Sequence, residues 1–216
     1  MDPKPVIAVI GGTGNLGSGL ARLWALAGYH IVIGSRSKEK ADAMAAELAG
    51  GDLCVKGDDN RGAARAGGIV VLSVPYATHD AVVQEIKADV AGKIVVDATV
   101  PLVPPKVSVV QLPATSPAIQ AQRELGSSVR VVAAFHNVGA KKLQDGEKAD
   151  CDVLVFGDDA AAREMVVELA SSVATRGVDG GVLANASAAE ALTSVLIAIN
   201  RRYKVPGAGI RITGLP

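Results

Sequence analysis

The sequence predicts an α/β protein, a doubly wound and mainly parallel sheet with a small C-terminal helical lobe, and three observations carry that reading. Short runs rich in Val and Ile alternate with Ala-rich segments of helical spacing, the pattern of βαβ units feeding a sheet buried on both faces. A cluster of glycines stands directly after the first of these runs. The chain is 49% hydrophobic and 20% charged over 216 residues, enough apolar material for a large core.

Strands are expected near Val6 to Ile10, His30 to Ile33, Leu53 to Lys56, Ile69 to Val74, Lys93 to Asp97, Val129 to Ala134 and Asp152 to Phe156, with helices in most of the gaps. The first helix carries Leu16, Leu20, Leu23, Trp24 and Ala27 as one stripe and is ended by Gly28, which makes Trp24 a core residue. Pro101, Pro104, Pro105, Pro113 and Pro117 exclude a helix interior or a central strand from Val100 to Pro117, so this stretch is a shaped loop of the kind that borders binding clefts. Two further helices, about Asp158 to Ala174 and Asn185 to Tyr203, form the smaller lobe and precede a Gly-rich tail. No internal repeat is visible.

Charge and cysteine usage narrow the function classes. Lys plus Arg equals Asp plus Glu at 22 each, so the broad basic field that favours nucleic acid or an anionic membrane is missing. Cys54 and Cys151 stand far apart, outside any metal or disulfide pattern, and suggest a reduced chain without a metal site. Five apolar residues before Gly11 are too few for a signal peptide, and no later run is expected to span a membrane, so the expected location is cytoplasmic.

The glycine cluster reads Gly11-Gly12-Thr13-Gly14-Asn15-Leu16-Gly17, with Gly12, Gly14 and Gly17 at dinucleotide-binding spacing between a strand and a helix. Gly12 is expected to permit the tight turn, Gly14 to admit the pyrophosphate, and Gly17 to let helix and strand pack closely. This is a Rossmann-type turn, and the helix N-terminus beyond it offers unpaired N–H groups to an anion. An NAD-preferring site would carry a carboxylate at the end of the second strand. Here Gly34-Ser35-Arg36 stands instead, with Lys40 about one helical turn on, and this set favours the 2′-phosphate of NADP(H).

The chemistry beyond the cofactor is marked by what is missing. Tyr76 and Tyr203 lack the lysine four residues on that a Tyr-x-x-x-Lys carbonyl reductase uses. His30 and His79 read as packing or surface residues, and no His–carboxylate dyad is evident from spacing. His136 differs, because it follows the strand ending at Phe135, at the carboxyl end where ligands of open α/β sheets bind. A site without an acid or base suits hydride transfer between two cofactors, and no catalytic side chain is expected.

The motifs Ile10-Gly-Gly-Thr-Gly-Asn-Leu-Gly17, Gly34-Ser-Arg36, Val74-Pro75-Tyr76, Pro101-Leu-Val-Pro-Pro-Lys-Val107, Ala134-Phe-His-Asn-Val138 and Gly207-Ala-Gly-Ile-Arg-Ile-Thr-Gly214 agree in order with one family. Over nearly its whole length the chain resembles the coenzyme F420-dependent NADP oxidoreductases. The resemblance implies an NADP-binding Rossmann domain over residues 1–157 and a small domain over 158–216 that completes the second-cofactor cleft. It implies that Thr13, Asn15 and Leu16 contact the pyrophosphate, that Ser35, Arg36 and Lys40 hold the 2′-phosphate, and that Val74 and Pro75 flank the nicotinamide half. His136, Asn137 and Val138, with Pro206, Gly207 and the tail to Ile210, would line the deazaflavin slot. Arg201, Arg202, Lys204 and Arg211 form a cationic group that could meet the acidic tail of coenzyme F420, or a solvated face.

The expected activity is therefore direct hydride transfer between NADP(H) and F420. The competing readings are an imine or 2-ketoacid reductase, for which Lys141 or Lys142 would be the nearby candidates, and a non-catalytic NADP(H) sensor. A homodimer is expected, because the Ala-rich helix from Ala186 to Ile199 shows little polar surface.

Overall fold

A computed structural model describes residues 4–50 and 53–215. Eight strands form one sheet: β1 (Ile7–Ile10), β2 (Ile31–Ser35), β3 (Val55–Asp59), β4 (Ile69–Leu72), β5 (Ile94–Asp97), β6 (Arg130–Ala133), β7 (Ala149–Gly157) and β8 (Ala174–Asp179), in the order β3-β2-β1-β4-β5-β6-β7-β8. Every neighbouring pair is parallel except β6 with β7. The helices are α1 (Asn15–Leu26), α2 (Lys38–Leu48), α3 (Asn60–Ala66), α4 (His79–Ile86), α5 (Pro117–Leu125), α6 (Ala140–Gln144), α7 (Ala160–Val173) and α8 (Ala186–Tyr203).

The central strands β1, β4 and β5 are buried at every position bar none, as continuous Val/Ile runs demand when helices cover both faces. Two apolar layers result. One, between the sheet and α1, α2 and α7, is built on Leu20, Trp24, Ile33 and Val166. The other lies under α3, α4, α5 and the start of α8, on Leu72, Val83, Ile86 and Ala186. Trp24 is fully buried, donates from Nε1 to the Leu169 carbonyl at 3.1 Å and meets Phe135 edge-on at 5.6 Å between centroids. It is the core residue the stripe on α1 predicts.

The proline-rich segment is irregular from Ala98 to Ser116, and Pro117 opens α5 with Ser116 as its N-cap. Two features depart from expectation. β8 was not anticipated, and the segment after 157 adds this strand to the common sheet. Its sequence, Ala-Thr-Arg-Gly-Val-Asp, has the polar character of an edge strand and lacks the apolar run that marks the buried ones. The stretch Leu183–Tyr203 also proves long and apolar enough, by composition alone, to cross a membrane, contrary to the expectation that no run would. In this fold Ala186, Ala189, Glu190, Ser194 and Leu196 of that helix are buried against the body of the protein.

Candidate active site

Because β1 is flanked by β2 on one side and β4 on the other, successive crossovers leave it in opposite directions, and a crevice opens at the carboxyl ends of these strands. A cavity of about 990 Å³ occupies this crevice, at the upper end of the range for small-molecule sites. Its lining follows the sheet order. Asn60 comes after β3, Ser35, Arg36 and Lys40 after β2, Gly11 and Thr13 to Leu16 after β1, Ser73 to Thr78 after β4, and Ala98, Val100, Leu102, Pro104 and Val107 after β5.

The turn after β1 is shaped by its glycines. Gly11, not Gly12, takes the left-handed backbone (φ 78°), and a Cβ there would stand 2.7 Å from the Ser73 carbonyl oxygen. A Cβ on Gly17 would fall 2.5 Å from Ser73 Oγ and 2.7 Å from the Gly11 oxygen, so α1 can start this close to β4 only without one. Gly12 and Gly17 are thus buried supports of the turn and do not line the cavity. Gly14 is the N-cap of α1 and supplies no side-chain hydrogen bond, which leaves the first-turn amides open to an anionic ligand.

At the end of β2, Ser35 is buried while Arg36 and Lys40 are exposed. Neighbouring Lys38 is committed to Asp42 at 3.1 Å, whereas among the described residues Arg36 and Lys40 form no ion pair. Two unneutralised cations therefore border the cavity beside an open helix N-terminus. On the β4 and β5 side the lining turns apolar, with Val74, Pro75, Val100, Leu102 and Val107.

The other expected site residues lie outside this cavity. His136 and Asn137 are buried in the turn after β6, the next strand along the same edge. Phe135 before them holds a left-handed backbone (φ 68°), uncommon for a bulky side chain and typical of constrained sites. Both ring nitrogens of His136 lack a hydrogen-bond partner among the described residues, and burial pushes its pKa down to about 4, so the imidazole is neutral. Asn137 pins α8 to the turn, its Nδ2 donating to the Ala189 carbonyl at 2.9 Å and to Thr193 Oγ1 at 3.2 Å. Thr193 in turn donates to the His136 carbonyl at 2.8 Å.

Val138 is half-buried. Pro206 and Gly207 line a separate cavity of about 130 Å³ with Gly139, Lys142, Asp150 and Cys151, because the tail is lashed to β7. The Asp152 amide donates to the Ile210 carbonyl at 2.8 Å, and Arg211 pairs with Asp150. Arg201 donates to Ser108 Oγ at 3.0 Å and ties α8 to the proline-rich loop.

Beneath the cleft lies a buried polar group that spacing did not reveal. His79 Nε2 meets Asp97 Oδ2 at 2.7 Å, and Asp97 Oδ1 accepts from the Thr99 amide at 2.9 Å. Burial alone would lower the His79 pKa, but hydrogen bonds to Asp97 and Asp80 outweigh it and raise it to about 9, giving a buried imidazolium–carboxylate pair. Ser116 Oγ donates to Glu190 Oε1 at 2.6 Å, and burial together with the nearby Asp97 charge raises the Glu190 pKa to about 7. Asp97 ends β5 at the carboxyl edge, a signal available in the sequence. Its partner 18 residues earlier is joined to it only by the fold.

Residues 6–101 match the model of a family described as NADP oxidoreductase, coenzyme F420-dependent. The chain is 42% identical over 221 residues to a protein named F420-dependent NADP reductase from Methanothermobacter thermautotrophicus, covering 97% of this chain and 95% of that one. The chain belongs to the F420-dependent NADP oxidoreductase family. A second member, the F420-dependent NADP reductase of Methanocaldococcus jannaschii, is 37% identical, with 97% of this chain and 98% of that one aligned. Among solved structures, an imine reductase from Myxococcus stipitatus superposes with a TM-score of 0.62 at 22% identity, over 94% of this chain and 68% of its own. That likeness concerns the fold alone.

Proposed function

We propose that the protein is an NADPH:coenzyme F420 oxidoreductase, which moves a hydride directly between NADP(H) and the deazaflavin. The single observation that carries this reading is full-length identity of 42% to an F420-dependent NADP reductase, joined to a cleft whose residues suit NADP. A pyrophosphate would lie against Thr13 to Leu16, where an added Cβ on the supporting glycines would clash and the α1 amides are open. Ser35, Arg36 and Lys40 would hold the 2′-phosphate, and Val74 and Pro75 would flank the nicotinamide.

The carboxyl edge continues from β5 to the His136–Val138 turn and on to Gly139, against which Gly207 packs. This row supports a second cofactor laid beside the first, with residues 1–157 serving NADP and 158–216 completing the second cleft. The two cofactors would supply the redox chemistry, a hydride passing from nicotinamide C4 to deazaflavin C5 with one proton taken from solvent. The protein's part is to orient the rings and keep water out with the apolar wall of Val74, Pro75, Val100 and Leu102.

We place the reaction in the cytoplasm, in keeping with free Cys54 and Cys151, and assign the working form to a homodimer. Val195 and Tyr203 on α8 are exposed apolar positions that a second copy would cover. Deuterium at C4 of NADPH tests the reaction. Label recovered at C5 of the reduced deazaflavin from one C4 face supports direct transfer, and label lost to water excludes it.

A further inference from the structure

We infer that Asn60 is a specificity-determining residue, whose side-chain oxygen receives the exocyclic amine of the adenine of NADP(H) and so excludes bases with a carbonyl at that position. The inference rests on reading the cleft as the NADP site and adds to it a base-recognition contact.

Asn60 opens α3, is 2% exposed and lines the cleft. Its Nδ2 donates to Glu85 Oε2 of α4 at 2.9 Å. A carboxylate only accepts, so this bond fixes the amide orientation and leaves Oδ1 as the atom without that partner. Oδ1 is buried and has no hydrogen-bond partner among the described residues. Buried carbonyl oxygens in folded proteins are almost always paired, so an orphan that borders a ligand cleft calls for a donor from the ligand.

The order of strands says which part of the ligand that is. Along the carboxyl edge the lining runs from Asn60 after β3, through Arg36 after β2, to the glycine turn after β1 and Val74 after β4. With the 2′-phosphate at Arg36 and the pyrophosphate at the glycine turn, the nicotinamide points toward β4 and β5, and the adenine lies at the β2 and β3 end. Val82, three residues before Glu85 on α4, also lines the cleft and supplies an apolar surface for the ring beside Asn60. Adenine presents an amino group at C6 and satisfies the oxygen. Hypoxanthine presents a carbonyl there and sets two acceptors against each other.

Equilibrium titration by reduced-nicotinamide fluorescence, with NADPH and with the reduced hypoxanthine analogue of NADPH, reads the contact without turnover. The unaltered protein is expected to bind NADPH about tenfold tighter or better than the analogue. Asn60→Ala should bring the two Kd values within about twofold of each other, chiefly by weakening NADPH. Glu85→Gln keeps Asn60 and the bulk of its partner but lets the amide turn over, and should narrow or invert the preference. Equal Kd values in the unaltered protein, or an unchanged ratio in folded Asn60→Ala and Glu85→Gln, would overturn this inference and leave the NADP cleft standing. Absence of NADPH binding in the unaltered protein would overturn both.

Discussion

Arg36 is the residue to which we assign the cofactor choice. Its guanidinium borders the cleft without a carboxylate partner among the described residues, and a hydrogen-bonded charge pair with phosphate contributes about 1.5–3 kcal/mol. Arg36→Ala should therefore weaken NADPH roughly 10- to 100-fold and leave NADH almost unchanged. Equal losses for both, read by fluorescence titration, would remove the 2′-phosphate role. Glu190 bears on stability. Burial raises its pKa from the ordinary 4.5 to about 7 in the fold, so the folded state holds the extra proton, and this stabilisation is complete below about 4.5 and lost as pH rises through 7. Glu190→Gln should flatten the fall in stability across that window and exceed the parent at pH 8 by about 3 kcal/mol at most. Urea melts at pH 5 and 8 measure it, and identical pH dependence in the two proteins would refute the assignment.

The turn joining β1 to α1 is the element to which we assign the pyrophosphate, and it leaves no room for a side chain at Gly17. An added methyl would meet Ser73 Oγ at 2.5 Å, so Gly17→Ala should lower stability by about 1–3 kcal/mol and weaken both NADPH and NADH. Unaltered stability and binding would show that the helix can back away from β4. This turn was legible in sequence because its spacing is local, and so were the buried strands, whose apolar runs are continuous. β8 was not, because an edge strand carries Thr175, Arg176 and Asp179 and has no such run. The His79–Asp97 pair escaped for a different reason: its partners belong to α4 and β5, and only the packing of one on the other joins them. Likewise, the burial of His136 and Asn137 and the lashing of the tail to β7 depend on contacts between distant segments, such as Asn137 with Ala189 and Asp152 with Ile210.

At the scale of the molecule, one sheet edge carries the cleft lined from β3 to β5 and the buried His136–Asn137 turn after β6, and α8 is held across its far end through Asn137, Ser116 and Arg201. The outer face of α8 carries exposed Val195, and dimerisation through this face should give twice the chain mass of 21.9 kDa in solution. Val195→Glu should shift that mass to the monomer, and a concentration-independent monomer in the unaltered protein would exclude the dimer. The central claim is the pairing of NADPH with a deazaflavin in one cleft. It is tested most directly by mixing the purified protein with NADPH and coenzyme F420 and following the visible absorbance of the oxidised deazaflavin, with NADH and FMN as controls. Rapid bleaching with NADPH and F420, and little with either control, is the predicted result. Persistent absorbance in a protein that demonstrably binds NADPH would contradict the account.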